Sequence, residues 1–158
     1  MNDITIRVAQ PSEMDRVREL TVASFGGVNI EEGIEQRLGV LNGHDWRWRK
    51  ARHIDVDLAA NPNGVFVAVR EGLVVGYVTA VLDRPAGRGR IPNLAVDASC
   101  RGHGLGRRLI EHALDYFRAE GMEYAVIETL EQNEVGRHLY PDCGFVEVAR
   151  QIHFARRL

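Results

Sequence analysis

The sequence predicts a single α/β domain over residues 1–158, and three observations support that prediction. Apolar stretches with strand-like patterning occur on both sides of stretches with helical spacing. Two strand-like stretches near the middle are separated by a short turn, as in a hairpin. A glycine-rich turn joins a further predicted strand to a helix. A chain of 158 residues also buries most of its apolar surface without disulfides or metals.

The first elements predicted are a strand and three helices. Residues 4–8 alternate as a strand, and a helix opens at Pro11 and ends at Gly26–Gly27. Apolar spacing predicts a second helix over residues 30–41. A third is predicted from Asp45 to about Ala60, with inward-facing residues Trp48, Ala51, Ile54 and Leu58. Alternating apolar residues at 54, 56 and 58 favour a strand instead, so both interpretations stay open.

The middle of the chain predicts a hairpin and a third strand. Residues 65–70 and 73–82 are apolar enough to be buried on most sides, and Glu71–Gly72 joins them. After a turn at residues 85–87, residues 90–96 form the next predicted strand. Further on, a strand is predicted to end near Ile127, and a short helix to run from Asn133 to Gly144.

The glycine-rich turn after residue 96 is typical of an anion site. Gly102, Gly104 and Gly106 lack a Cβ, so the chain can adopt positive φ values and a phosphate can approach the main chain closely. The first amides of the following helix have no intrahelical partner and lie at the positive end of its dipole. Three arginines add positive charge nearby: Arg101, Arg107 and Arg108.

Two common nucleotide-binding motifs do not fit this turn. A P-loop requires Gly-Lys-Ser/Thr, but Gly106 is followed by Arg107 and Arg108. A dinucleotide fingerprint requires G-x-G-x-x-G within repeated βαβ units, whereas these glycines are spaced G-x-G-x-G and no such repeat surrounds them. Both motifs are therefore excluded.

A third pattern fits. Arg101-x-x-Gly104-x-Gly106, entered from the strand ending Leu94-Ala95-Val96, resembles the acetyl-coenzyme A turn of the GCN5-related N-acetyltransferase (GNAT) superfamily. A second motif of that family pairs an Asn with a Tyr seven residues later and then Gly-Phe. This chain carries Asn133, Tyr140 and Gly144–Phe145. Seven residues are about two helical turns, so Asn133 and Tyr140 share one face. Two motifs in this order are more specific than either alone.

The resemblance implies a fold and an activity. The fold is a mixed, mostly antiparallel sheet of about seven strands flanked by helices, with two short strands after residue 144. The activity is transfer of an acetyl group from acetyl-coenzyme A to a primary amine through a ternary complex, without a metal. The residues implied in cofactor binding are Leu94, Ala95, Val96, Arg101, Gly102, His103, Gly104, Leu105, Gly106, Arg107, Asn133 and Tyr140.

Each group of these residues has an implied role. The main chain at residues 94–96 would bind the pantetheine arm, and the amides from Gly102 through Arg107 the pyrophosphate. The Leu94 amide would face the thioester oxygen as negative charge develops there. Asn133 would hydrogen-bond a pantetheine amide, and Tyr140 would be the general acid for the departing thiolate.

Two aspects of the chemistry stay open in the sequence. Pro141 departs from the family pattern, because it lacks an N–H and leaves the Arg137 carbonyl without its helical donor. The helix would then end early and shift the phenol, or accommodate the proline. The base that deprotonates the amine is also unassigned. Glu128, Asp83 and His53 are candidates, and an ordinary surface or packing role is the alternative for each.

The resemblance implies that the acceptor side lies between about residues 25 and 61, where the run 44–50 holds two tryptophans among basic residues. That run would grip an anionic or aromatic acceptor or reach the adenosine phosphate of the coenzyme, or else pack Trp48 inward and leave the arginines solvated. We favour the packing interpretation. The acceptor is either a small molecule or a protein amine. A non-catalytic acyl-coenzyme A binding or sensing module is the alternative function.

The composition of the chain argues against several other classes of protein. A net charge of −2 argues against a general nucleic-acid binder. The two cysteines, Cys100 and Cys143, form no disulfide framework, and Cys100 with His103 lacks a second ligand pair for a metal. With no long apolar run, we expect a cytoplasmic protein without membrane contact. A homodimer is compatible with the resemblance, and the residues do not decide it.

Overall fold

The predicted succession of strands, glycine turn and helices is present in the computed structural model, which describes residues 3–158. The helices in that range are α1 (Met14–Ser24), α2 (Ile30–Leu38), α3 (Trp46–Ala60), α4 (Leu105–Ala119) and α5 (Glu134–Asp142). The strands are β1 (Thr5–Val8), β2 (Val65–Arg70), β3 (Leu73–Thr79), β4 (Val81–Asp83), β5 (Arg88–Ile91), β6 (Leu94–Val96) and β7 (Tyr124–Ile127). The mixed fold with seven strands flanked by helices is therefore confirmed.

The strands form two sheets. One has the order β1-β2-β3-β6 and is antiparallel throughout. The other has the order β4-β5-β7, with an antiparallel β4–β5 pair and a parallel β5–β7 pair. Two predicted strands each contribute to both sheets: residues 73–82 divide at Ala80, and residues 90–96 divide at Pro92–Asn93. Proline lacks the N–H that a central ladder needs, so Pro92 marks the second division.

Helices cover both faces of the four-stranded sheet. Successive strand side chains point to opposite faces, and β2 follows this rule closely. Phe66 and Ala68 pack in one cluster with Leu109 and Phe117 of α4. The other cluster joins neighbouring β2 residues to α1 and α3, and its members include Val65, Val67, Met14, Val17, Leu20 and Ile54. The sheet therefore forms a layer between two sets of helices, and β6 lies at one of its edges.

Helix α3 is confirmed, and the alternative of a strand at residues 54–58 is wrong. The prediction that Trp48 faces inward is also wrong. Trp46 is 5% exposed, whereas Trp48 is 42% exposed and stacks on His44 with the ring centroids 3.5 Å apart. The buried residues of this helix are Trp46, Lys50, Ile54 and Asp57. Two of those four are charged, so the pattern of apolar residues alone predicted the wrong buried face for this helix.

The two short C-terminal strands implied by the resemblance are absent, and this part of the prediction is wrong. Residues 145–158 belong to no strand, and no strand in the described part of the chain pairs with them. Side-chain contacts connect this segment to the body: Arg150 donates to Glu131 at 2.9 Å and Arg157 to the Leu38 carbonyl at 2.9 Å. Its exposed apolar residues include Val146, Val148, Ile152 and Phe154. Without a partner strand, alternation of apolar residues does not suffice to form a sheet.

Candidate functional site

The site begins where two strand edges diverge. β5 pairs with β7, but its continuation β6 pairs with β3 in the other sheet. β6 and β7 are each the end strand of their sheets, and no ladder joins them within residues 3–158. The free edges of β6 and β7 therefore flank an opening, and the chain between them forms the glycine turn and α4.

The free edge of β6 presents main-chain groups of alternate residues. Thr79 N–H donates to the Asn93 carbonyl at 2.9 Å, and Asp97 N–H donates to the Val75 carbonyl at 2.8 Å. In an antiparallel pair, the main-chain N–H and C=O groups of residues two apart point to the same side of the strand. The main-chain groups of residues 93, 95 and 97 therefore face β3. The main-chain groups of Leu94 and Val96 then face the opening. Ala95 lies opposite Tyr77 in the ladder, which corrects the prediction that all three residues offer free amides.

The glycine turn at the start of α4 presents unpaired amides. Gly102 and Gly104 both have φ +78°, and Gly104 is the N-cap of α4 in the left-handed region. The first helical hydrogen bond at this end is donated by Arg108 N–H to the Gly104 carbonyl, at 3.1 Å. Among the residues that the structure describes, no protein group accepts from the amides of 102–107. These amides lie at the positive end of the helix dipole, which is the arrangement that the predicted anion site requires.

Three exposed arginines surround the turn and donate to main-chain carbonyls. Arg101 donates to Val96 at 3.1 Å, beside the free edge of β6. Arg107 donates to the Asp142 carbonyl at 2.8 Å, at the end of α5, and Arg108 donates to Ile4 at 2.9 Å. A carbonyl does not neutralise a guanidinium, so all three charges add to the positive potential of the turn. His103, also predicted here, is exposed and contacts the Arg101 carbonyl through Nδ1 at 2.8 Å.

Helix α5 brings Asn133 and Tyr140 together, as the sequence predicted. Asn133 is the N-cap: Oδ1 accepts from Gly136 N–H at 3.3 Å, and Nδ2 donates to Thr129 Oγ1 at 2.8 Å. Gly136 lies one turn into the helix, where a Cβ would be 3.0 Å from Asn133 Nδ2 and 3.1 Å from Tyr140 Cε2. A side chain at this position would therefore require Asn133 or Tyr140 to shift by a few tenths of an ångström. A ligand contact to Asn133 stays a prediction, and it would add to the capping role.

Pro141 does not end α5. The helix continues to Asp142, and Cys143 N–H donates to the Leu139 carbonyl at 3.1 Å. Tyr140 is consequently held within a helical turn, with its ring 6.4 Å from that of Phe145. Burial raises the pKa of Tyr140 to about 12. The phenol is therefore protonated at neutral pH and is available as a donor.

The three candidate bases all have protein partners. Glu128 accepts from Arg90 at 3.1 Å, and Asp83 accepts from the Ala86 amide at 3.4 Å. His53 lies between two groups: Nε2 is 3.1 Å from Glu31 Oε1, and Nδ1 is 3.4 Å from Lys50 Nζ. No base is assigned by these contacts.

Sequence reasoning missed a buried polar cluster next to β6. It consists of Lys50 and Asp57 of α3, Thr79 of β3 and Asn93, all at most 6% exposed. One signal was present in the sequence. Lys50 and Asp57 are seven residues apart and share a face of α3 with Trp46 and Ile54, so both charges stand at positions where an amphipathic helix is apolar.

Two negative observations concern the same 156 described residues, 3–158. None of their His, Cys, Asp and Glu side chains form a group of three that could hold a metal ion. None of their helices is both long and apolar enough to cross a membrane.

Comparisons with known proteins agree with this geometry. A family model described as the acetyltransferase (GNAT) family matches residues 17–145. N-alpha-acetyltransferase 30 of Saccharomyces cerevisiae is 28% identical over 111 residues, which cover 68% of this chain and 58% of that protein. The chain spans 53–62% of the length of that relative and of two other curated relatives that it matches.

Solved structures show the same fold. The protein PH1933 of Pyrococcus horikoshii OT3 superposes with a TM-score of 0.74 at 21% identity, covering 94% of this chain and 92% of that one. An aminoglycoside N-acetyltransferase, AAC(6')-Iy, solved in complex with CoA, has a TM-score of 0.68 at 18% identity. The matched regions are 98% of this chain and 95% of that one.

Proposed function

The chain belongs to the acetyltransferase (GNAT) family, and from that premise we propose that it transfers an acetyl group from acetyl-coenzyme A to a primary amine. Both substrates would be bound together in a ternary complex. The observation that carries the proposal is the row of unpaired amides at 102–107, next to the free edge of β6. The first amides of a helix have no intrahelical partner, and together with the helix dipole they form a ready site for a phosphate.

The residues fit such a donor substrate. Amides 102–107 would bind the pyrophosphate, with Arg101 and Arg107 supplying charge. Leu94 and Val96 would hydrogen-bond the pantetheine arm along the free edge of β6, much as an added strand pairs with a sheet edge. Asn133 is close enough to Tyr140 to contact the same arm. A structural neighbour of this chain was solved with CoA, which is consistent with the assignment.

Acetyl-coenzyme A supplies an acetyl thioester. The amine nitrogen would form the new bond to the acetyl carbon, the carbon–sulfur bond would break, and the amine proton would leave for a base or solvent. The Leu94 N–H would donate to the thioester oxygen while that oxygen gains negative charge. Removing a single preorganised donor of this kind costs about 100- to 1,000-fold in turnover.

Tyr140 would act on the leaving thiolate. Its pKa of about 12 keeps the phenol protonated at every pH at which an amine substrate reacts. An ordinary thiol has a pKa of about 8.5, so complete proton transfer from this phenol to a thiolate is uphill. We therefore propose that Tyr140 stabilises the thiolate chiefly through a hydrogen bond, with the thiol proton drawn finally from solvent.

The test is an activity screen that detects thiol release. The protein would be incubated with acetyl-coenzyme A and either small amines or peptides with free N-termini and lysines. Release that requires an amine, confirmed by the mass of the acetylated product, supports the proposal. Tight coenzyme binding without turnover on any amine would favour the alternative, a non-catalytic acyl-coenzyme A binding module. The same screen separates small-molecule acceptors from protein amines.

A further inference from the structure

The two sheets are joined at a junction beside the opening. We define the sheet junction as Thr79–Ala80 and Pro92–Asn93, where two stretches of chain leave one sheet and enter the other. Asn93 directly precedes Leu94, whose amide faces the opening. The orientation of that amide therefore depends on how Asn93 is held.

Every polar group of Asn93 has a partner. Its N–H donates to Thr79 Oγ1 at 3.0 Å, and its carbonyl accepts from Thr79 N–H at 2.9 Å. Its side chain is held by α3: Oδ1 accepts from Lys50 Nζ at 2.7 Å, and Nδ2 donates to Asp57 Oδ2 at 2.7 Å. Asn93 is only 4% exposed. Thr79 of β3 thus holds the main chain of the residue at which the strand divides, and helix α3 holds its side chain.

Lys50 is an unusual residue for this position. It is 6% exposed, and its ammonium group lies 4.1 Å from the centre of the Phe25 ring. Burial lowers the pKa of Lys50 to about 8, while Asp57 and Glu31 oppose that shift. A buried charge seldom adds stability beyond what a well-packed apolar residue would give. The contact to Asn93 gives it a positional role.

We propose that Lys50 is a positioning residue for acetyl transfer: by holding the Asn93 side chain, it directs the Leu94 N–H toward the thioester oxygen. This inference rests on the proposed function. Lys50 acts through Asn93 and touches no reacting atom. The pyrophosphate contacts lie on the glycine turn and α4, so they do not depend on Lys50.

The variant Lys50→Met removes the donor and keeps an unbranched apolar side chain beside Phe25. Displacing a group that stabilises the transition state by about 1 Å costs on the order of 100-fold in rate. We expect kcat to fall by about that factor, while the Kd for CoA measured by calorimetry stays within about threefold of wild type, since no bond to the phosphates is lost. Arg118→Met is the control, because Arg118 is an exposed cation near the end of α4 that is remote from the glycine turn, and its ion-pair partner is Asp115.

A spectroscopic signature separates positioning from a general loss of structure. Asn93–Leu94 is the only Asn–Leu step in the sequence. Protein labelled with ¹³C-carbonyl asparagine and ¹⁵N-leucine therefore gives a single HNCO peak, which reports the Leu94 amide. Acetyl-coenzyme A is expected to shift this peak strongly in the wild type and in Arg118→Met. In Lys50→Met the shift is expected to be much smaller at saturating ligand.

The outcomes are distinguishable. Wild-type kcat and a wild-type ligand-induced shift in Lys50→Met would overturn the inference and leave the proposed function intact. No turnover and no shift in the wild-type protein would instead overturn the proposed function. If Lys50→Met does not fold, Lys50→Gln is measured in the same way. A Gln side chain is too short to replace the bond in full, so wild-type behaviour in that variant would also overturn the inference.

Discussion

Replacing Gly104 by leucine tests the anion site most specifically. Gly104 has φ +78° at the N-cap of α4, and a Cβ built there meets no protein atom within 4 Å. A leucine would therefore fit sterically against the protein, but it would project into the space in front of the unpaired amides. We expect the variant to fold and to lose affinity for acetyl-coenzyme A.

The magnitudes follow from two separate effects. A non-glycine residue in the left-handed region costs about 1–2 kcal/mol, so the melting temperature falls by a few degrees. Blocking one hydrogen bond between an amide and a charged phosphate costs about 1.5–3 kcal/mol. Such a loss weakens binding about 10- to 150-fold. Affinity and stability should therefore both fall in this variant.

The chain offers a closely matched control at the other end of the same helix. Gly121 has φ +79°, and a Cβ there also meets nothing within 4 Å. The whole of α4, about 22 Å of helix, separates it from Gly104. Gly121→Leu should lose similar stability in a thermal melt but retain wild-type affinity in a calorimetric titration. Equal affinity in both variants would refute the assignment of the phosphates to this turn.

Two further predictions concern Tyr140 and Lys50. Tyr140→Phe should lower kcat by about 100-fold, the cost of losing one hydrogen-bond donor to developing charge, with an unchanged Kd for acetyl-coenzyme A; a wild-type rate would remove Tyr140 from the chemistry. For Lys50, the folded-state pKa of about 8 lies below the unfolded value of 10.5. Between those pH values the unfolded chain binds the proton and the folded chain does not, so stability rises with pH. Urea denaturation gives the unfolding free energy of the wild type and of Lys50→Met at each pH. The wild-type value minus the variant value should rise by roughly 3 kcal/mol from pH 8 to 10.5; a difference that does not change with pH would contradict the burial of a titrating lysine.

The local features of this chain could be predicted from its sequence. The glycine turn, α4 and the hairpin at Glu71–Gly72 depend on backbone preferences of a few residues. Glu71 and Gly72 indeed have φ of +51° and +78°. The placement of Asn133 and Tyr140 near each other could also be predicted, because a helix of fixed pitch relates them and Pro141 is accommodated within α5.

Features that depend on distant partners could not be predicted in this way. The buried face of α3 includes Lys50 and Asp57, which pattern analysis places in solvent unless Asn93 and Thr79 are known to be beside them. The C-terminal segment has the alternation of a strand but no partner strand. The free amides of Leu94 and Val96, and the paired one of Ala95, follow only from the register with β3.

The central claim is that the amides of the glycine turn and the free edge of β6 bind acetyl-coenzyme A. A calorimetric titration of the wild-type protein with acetyl-coenzyme A at low ionic strength tests it most directly. Saturable one-to-one binding in the micromolar range is the predicted result. An absence of measurable heat over repeated titrations at different temperatures would contradict the claim, and the acetyl-transfer proposal would be withdrawn with it.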